Sequence, residues 1–188
     1  MRQCPFHYTE MSKTTVRKAL HDFDAEELRQ LILDIYDKSK DAKELLDFYA
    51  VPDIRAKREQ YEKPILKEVT RRYKRLSKPR FTRIRAAVKQ FSRLDVGPEA
   101  VASLMAFAVL EFLKAAGDGT SLPDATLTGA NKFLHDTITF MSAHRLLDEW
   151  LPQIEKNVNL LPVRRFHSNP LRAALLDTIA EVCRQSEN

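Results

Sequence analysis

The sequence predicts an all-α protein: a compact, irregular bundle of about seven to eight helices, several of them kinked at proline. No segment shows convincing two-residue alternation of polar and apolar side chains, whereas several repeat apolar residues at the three- and four-residue spacing of a helix face. Glycine supplies only 4 of the 188 residues, which leaves few positions for the left-handed turns that sandwiches and barrels require. No sequence repeat of about 20–50 residues is present, so a regular solenoid is not expected.

The clearest helix begins after Asp24. Asp24 and Glu27 have the spacing of a capping box, and Phe23 and Leu28 occupy the flanking positions of a hydrophobic staple. The apolar residues of this helix follow the spacing of a half-buried face: Leu28, Leu31, Ile32, Ile35 and Tyr36. A short helix, Lys13–Leu20, is predicted before it.

Asp41 begins a second capping pattern, which predicts a shorter helix that ends near Tyr49, before Pro52. The remaining predicted helices cover residues 53–76, 80–94, 98–116, 124–142, 145–158 and 170–184. Pro64 falls inside the first of them and predicts a kink or a division into two helices, and Pro152 predicts a kink in the helix at 145–158. The helix at 98–116 is apolar nearly all round, which is typical of a central, buried helix.

We expect a single helical domain over residues 11–188, with a subdivision into an N-terminal helical hairpin region, 12–52, and a main bundle, 53–184. Residues 1–10 differ from the sequence that follows and are expected to be disordered or an extension. A domain of this size buries roughly 70% of its unfolded-chain surface, so it needs no disulfide or metal for stability.

The cysteines and the apolar runs indicate a cytoplasmic protein. Cys4 and Cys183 are unclustered and near opposite termini, which favours free thiols in a reducing compartment; a disulfide between them is the alternative. No signal peptide is visible, and the longest apolar run, Ala100–Leu110, is too short to cross about 30 Å of hydrocarbon. We therefore expect no membrane span.

Positive charge is concentrated in one segment. The net charge of the chain is +5, but residues 55–93 hold 15 Lys and Arg against three acids, a net of +12, whereas the rest of the chain has a net of −7. Nine of the 15 basic residues are Arg, whose guanidinium suits bidentate phosphate contacts. A basic segment inside an otherwise acidic chain indicates an anionic partner.

Two basic stripes follow from four-residue spacing. One consists of Arg85, Lys89 and Arg93, and the other of Lys63, Lys67, Arg71 and Arg75. Joined by an Arg-rich loop, they can converge on a polyanion, most favourably RNA or DNA, although an acidic protein or anionic lipid headgroups match the charge equally. The candidate binding residues are Lys67, Arg71, Arg72, Lys74, Arg75, Lys78, Arg80, Arg83, Arg85, Lys89 and Arg93. The nearby aromatic residues recur at core spacing and are assigned to the core rather than to base stacking: Tyr73, Phe81 and Phe91.

Two other interpretations of the charge stay open. The basic face can be a solvated surface, partly neutralised by acids of the N-terminal region. Alternatively, the protein is a helical interaction or scaffold module whose partner is another protein or a second copy, since its N-terminal and central regions carry opposite charge.

No sequence motif indicates catalysis. The glycine-rich phosphate loops, the GxSxG elbow and the HExxH zinc motif are all missing from the sequence, so we expect a non-enzymatic protein without cofactor or metal. The alternative is an enzyme with a pocket around His135, His144 and Asp148, of which the last two lie four residues apart.

Three stretches carry a resemblance. Met11–Asp53 contains Glu-Glu-Leu-Arg-Gln-Leu-Ile-Leu-Asp-Ile-Tyr and Lys-Glu-Leu-Leu-Asp-Phe, Lys78–Phe91 opens with Lys-Pro-Arg and closes with Val-Lys-Gln-Phe, and Val96–Asp118 contains Pro-Glu-Ala-Val-Ala-Ser-Leu-Met. Over about residues 11–140 the chain resembles an uncharacterised bacterial family of small, all-helical cytoplasmic proteins, a domain of unknown function. It departs from that family at Gly97-Pro98 and in the alanines around position 108. The resemblance implies a helical fold and a bacterial, cytoplasmic protein, but no activity, ligand or active site.

Overall fold

A computed structural model describes residues 12–73, 76–117, 122–162 and 171–186. Over these residues the protein is all-α, as predicted, with nine helices rather than seven or eight and one very short β-hairpin. The helices are α1 (Lys13–Ala19), α2 (Ala25–Lys38), α3 (Lys40–Ala50), α4 (Ile54–Val69), α5 (Phe81–Ser92), α6 (Pro98–Gly117), α7 (Asp124–Ala143), α8 (Leu147–Asn159) and α9 (Leu171–Ser186). The strands are β1 (Arg72–Tyr73) and β2 (Leu76–Ser77). Residues 1–10 and Cys4 lie outside the described residues.

The chain divides into two compact units, with the boundary between Val51 and Pro52. In the first unit, the predicted capping box of α2 is confirmed: the Asp24 carboxylate accepts hydrogen bonds from the backbone N–H groups of Glu26 and Glu27, both at 2.8 Å. The backbone N–H of Asp24 in turn donates to Glu27 Oε2 at 2.9 Å. The prediction that Asp41 caps α3 is wrong, because Ser39 is the N-cap and its hydroxyl accepts from the backbone N–H of Ala42.

The second unit is built around α6, which packs against α4, α5, α7 and α8. Eleven residues of α6 are buried, which confirms its prediction as a central helix. By length and composition alone α6 also qualifies as a membrane-crossing helix, but 61% of its most apolar window is buried inside the protein, as in the core helix of a folded domain. Such a match is weak evidence for a membrane span.

Aromatic packing joins α5, α6 and α7. The ring of Phe81 meets the edge of Phe112 at a centroid distance of 5.2 Å and lies 5.8 Å from Phe133. Gly129 allows this approach of α7 to α5, because a Cβ atom at Gly129 would lie 2.9 Å from Phe81 Cδ2. The register of α5 against α7 therefore depends on a glycine.

The helix predicted over residues 53–76 ends earlier than expected. α4 stops at Val69, where the hydroxyl of Thr70 donates to the carbonyl oxygen of Leu66 at 2.7 Å. Beyond Thr70, like charges four residues apart would face each other along a continued helix, which destabilises it. The chain forms the antiparallel β1–β2 hairpin instead.

Two predictions about helix breakers have mixed outcomes. Pro64 and Pro152 do lie inside helices, α4 and α8, each of which is a single helix. A glycine at the end of a helical sequence is typical of the left-handed residue that follows a helix, but Gly117 is the last residue of α6 and does not have a positive φ.

Candidate polyanion-binding surface

Several predicted cations already have carboxylate partners. Arg80 donates two hydrogen bonds to the buried Glu68, one from Nε to Oε2 at 2.5 Å and one from a terminal nitrogen to Oε1. The hydrogen bonds from Arg80 hold the pKa of Glu68 below its usual range, although burial acts against them. Arg80 therefore has a structural role, joining the start of α5 to α4.

Arg85 is held on the opposite side of α5. Its Nε donates to Asp136 Oδ2 of α7 at 2.8 Å, and its guanidinium lies 5.7 Å from the centroid of the Phe133 ring. Arg83 and Arg85 are two residues apart, and hence about 160° apart around the helix. The first faces Glu68 on α4 and the second faces Asp136 on α7.

The two predicted stripes are therefore separated. Lys63 and Lys67 are exposed and flank the buried Ile65 by two residues on either side, so they lie on the outer face of α4. Arg85 and Lys89 lie on the α7 side of α5 instead. The structure does not bring these stripes together.

Arg85 and Lys89 border a groove formed by α5, α6 and α7, with a volume of about 280 Å³. Its floor is apolar: Val88, Val101, Met105, Phe133 and Phe140. Since Asp136 stands on the same rim and neutralises Arg85, the groove is a poor site for a polyanion.

Positive charge does accumulate beside Glu68. The Arg83 guanidinium lies 3.6 Å from Glu68 Oε1, and Arg71 adds a third positive charge that lowers the pKa of this carboxyl. Two guanidinium groups thus lie within 4 Å of the Glu68 carboxylate and Arg71 adds a third positive charge, which leaves a net charge of +2. Glu68 is the one acid between residues 63 and 93 of the sequence, but nothing in the sequence showed that it would pair with these arginines.

The hairpin extends this cluster. Its base is closed by Arg71 and Lys78: the Lys78 N–H donates to the Arg71 carbonyl oxygen at 2.8 Å, and an Arg71 guanidinium nitrogen donates to the Lys78 carbonyl oxygen at 3.1 Å. In β1 and β2, Arg72 is opposite Ser77. The Lys78 ammonium lies 5.5 Å from the centroid of the Tyr73 ring, within range of a cation–π contact.

Tyr73 corrects one prediction. It was assigned to the core by its spacing, but it belongs to β1 and is 55% exposed. The same assignment is confirmed for Phe81 and Phe91, which are buried. Helical spacing could not place Tyr73, because the helix ends before it.

We call Arg71, Arg72, Tyr73, Lys78 and Arg83, together with Lys67, the exposed α4 residue that precedes Glu68, the basic hairpin surface. The ammonium groups of Lys67 and Lys78 form no ion pair with any described residue. Lys74 and Arg75 lie outside the described residues. Lys89 and Arg93 are both exposed, the first within α5 and the second directly after its last residue.

The predicted histidine pocket finds no support in this geometry. His135 is half-exposed on α7 and its Nδ1 lies 4.0 Å from Asp136. His144 follows the end of α7, nine residues later, and stacks on Phe140 at a centroid distance of 4.4 Å. Neither histidine nor Asp148 lines the groove, and the described residues contain no cluster of three or more His, Cys, Asp or Glu that could hold a metal ion.

Comparison of the chain with models of protein families, with curated proteins and with solved structures found no match. The resemblance to a bacterial family of unknown function and the cytoplasmic location stay predictions.

Proposed function

We propose that the protein is a non-enzymatic nucleic-acid-binding protein whose basic hairpin surface holds single-stranded RNA or DNA. The observation that carries the proposal is the pairing of both Arg80 and Arg83 with Glu68, next to a hairpin whose base holds Arg71 and which presents further cations. One carboxylate cannot neutralise three guanidinium groups. The cluster therefore retains charge for phosphates, whose binding releases counterions.

Tyr73 favours nucleic acid over an acidic protein. Its ring is exposed at the hairpin and flanked by Lys78, an arrangement in which a base can stack while a neighbouring phosphate meets an ammonium. Stacking on a single exposed ring requires an unpaired base, so the single strand is the favoured form. A peptide of Asp and Glu would match the charge but has no planar base to stack.

Binding is tested by fluorescence anisotropy with a labelled oligothymidylate or oligouridylate of about 20 nucleotides, titrated at several salt concentrations. In the Lys67→Glu/Lys78→Glu variant, Kd should rise about ten-fold or more, and the salt slope should fall by about 1.4, since two phosphate contacts are lost. The matched control is Lys132→Glu/Lys156→Glu, which changes the net charge equally at two exposed lysines of α7 and α8. If both variants lost the same affinity for the oligonucleotide, only the net charge of the protein would matter, and the proposed surface would be contradicted.

The stacking contribution is tested separately with Tyr73→Ala. Loss of one stacked base should raise Kd by roughly 5- to 150-fold with little change in salt slope, whereas Tyr73→Phe should bind like the parent. Polyglutamate of matched charge should compete poorly. If polyglutamate competes as well as the oligonucleotide, or if Tyr73→Ala binds normally, the acidic-protein interpretation replaces this one.

A further inference from the structure

The first unit has exposed apolar side chains on both α2 and α3. None of the residues of α1, α2 or α3 is buried. On α2, Ile32 and Ile35 are 47% and 45% exposed, and on α3, Leu45 and Tyr49 are 43% and 84% exposed. Within the stripe that the sequence marks as core-facing, Ile32 and Ile35 are thus exposed, and Leu28, Leu31 and Tyr36 are only half-buried.

A unit of this size needs another source of stability. Below about 40–60 residues a single core is marginal, and disulfides, metals or association usually supplement it. Residues 12–51 contain no cysteine, and their described side chains form no metal-binding cluster. Association through the exposed apolar residues would supply that stability.

We propose that this face binds the same face of a second copy of the chain. The α2–α3 hairpin of each copy would pair with the other about a two-fold axis, forming an antiparallel four-helix arrangement. This inference is independent of the proposed nucleic-acid binding, which uses residues of the second unit.

The charge pattern of the hairpin argues for a second copy in this orientation. Residues 22–27, at the open end, carry four acids and no base, whereas residues 38–43, at the turn, carry three lysines and one acid. An antiparallel pair places the acidic end of each hairpin against the basic turn of the other. A parallel pair would place like charges together.

The size of the face sets the expected affinity. α2 and α3 have 14 and 11 residues and are therefore about 21 and 16 Å long. Two such helices packed about 8–10 Å apart present a face near the lower end of specific interfaces. We therefore expect a reversible dimer with Kd on the order of micromolar to tens of micromolar.

Sedimentation equilibrium of the full chain, freed of nucleic acid, tests the dimer. Ile35→Glu should raise the dimer Kd at least ten-fold. The matched control is Leu33→Glu, since Leu33 is 56% exposed and lies about 160° from Ile35 around α2. Circular dichroism of both variants checks that helicity is retained. The proposal would be overturned if the parent protein stayed monomeric to about 1 mM, or if Ile35→Glu and Leu33→Glu raised the dimer Kd equally.

A charge exchange tests the orientation without altering apolar residues. Asp22→Lys/Glu26→Lys and Lys38→Glu/Lys40→Glu should each weaken self-association, and an equimolar mixture should restore it, because opposite ends again meet opposite charges. Variants that each associate as well as the parent would contradict the antiparallel pairing. The Lys67→Glu/Lys78→Glu variant should dimerise normally, so failure of the nucleic-acid proposal would leave this one standing.

Discussion

The two units differ in how their helices use apolar residues. In the first unit, α2 has a regular amphipathic stripe and a complete capping box, yet none of its residues is buried. In the second unit, α6 has no polar face to define a stripe, and eleven of its residues are buried. A regular pattern therefore establishes that a helix forms and which side is apolar, but not that anything covers that side.

The difference has a physical origin in the number of neighbours. α6 is surrounded by four other helices and so can bury residues around most of its circumference. α2 packs against α3, a shorter helix, where the Tyr36 hydroxyl donates to Asp47 at 2.8 Å and the Lys43 ammonium lies 5.1 Å from the centroid of the Tyr36 ring. Stability should accordingly be concentrated in the second unit.

The largest expected effect is the loss of a core ring in the second unit. Phe133→Ala removes a fully buried ring that contacts Phe81, and it should lower the free energy of unfolding by about 3–5 kcal/mol. The comparison is Leu33→Ala in α2, an exposed position where the loss should stay within about 0.5 kcal/mol. Urea denaturation followed by circular dichroism measures both; losses of similar size would contradict the contrast between the units.

A smaller effect is expected at the charged link within the second unit. Glu68→Gln removes the carboxylate that accepts both hydrogen bonds from Arg80, and it should cost about 1–3 kcal/mol. It should also raise the affinity for oligonucleotide, because the variant gains a positive charge at the basic hairpin surface. If the variant is destabilised but binds the oligonucleotide no more tightly, Glu68 links α4 to α5 but its charge does not oppose binding.

The pH dependence of this link has a definite sign. The folded-state pKa of Glu68 is lowered, chiefly by the hydrogen bonds from Arg80. Its contribution to stability is therefore complete above the ordinary glutamate pKa, about 4.3, and is lost as the pH falls below that value through the folded-state pKa. The difference in unfolding free energy between the parent and Glu68→Gln should be constant above about pH 5 and should shrink on acidification. A difference that grows below pH 4 would contradict this assignment.

The sequence predicts most of the fold because helix signals are local. Pro98 marks the first residue of α6, and the Asp24 capping box is present as predicted. The candidate surface is harder to predict from the sequence, because it depends on contacts between residues that are far apart along the chain. The link between Glu68 and Arg80 spans 12 positions and that between Arg85 and Asp136 spans 51, so spacing could not show which arginines were already paired.

The smallest expected effect lies in the first unit, where two similar sequence patterns have different structural roles. Asp24→Ala removes the acceptor of two backbone hydrogen bonds and should cost about 1 kcal/mol, which is roughly a five-fold increase in hydrogen exchange of the α2 amides at low protein concentration. Asp41→Ala should have a smaller effect on α3, because Asp41 is only a first-turn residue and Ser39 provides the cap. Exchange of the α6 amides should be unchanged in both variants. If Asp24→Ala accelerated exchange of the α6 amides or left exchange of the α2 amides unaffected, the first unit would not open on its own, and the contrast between the two units would fail.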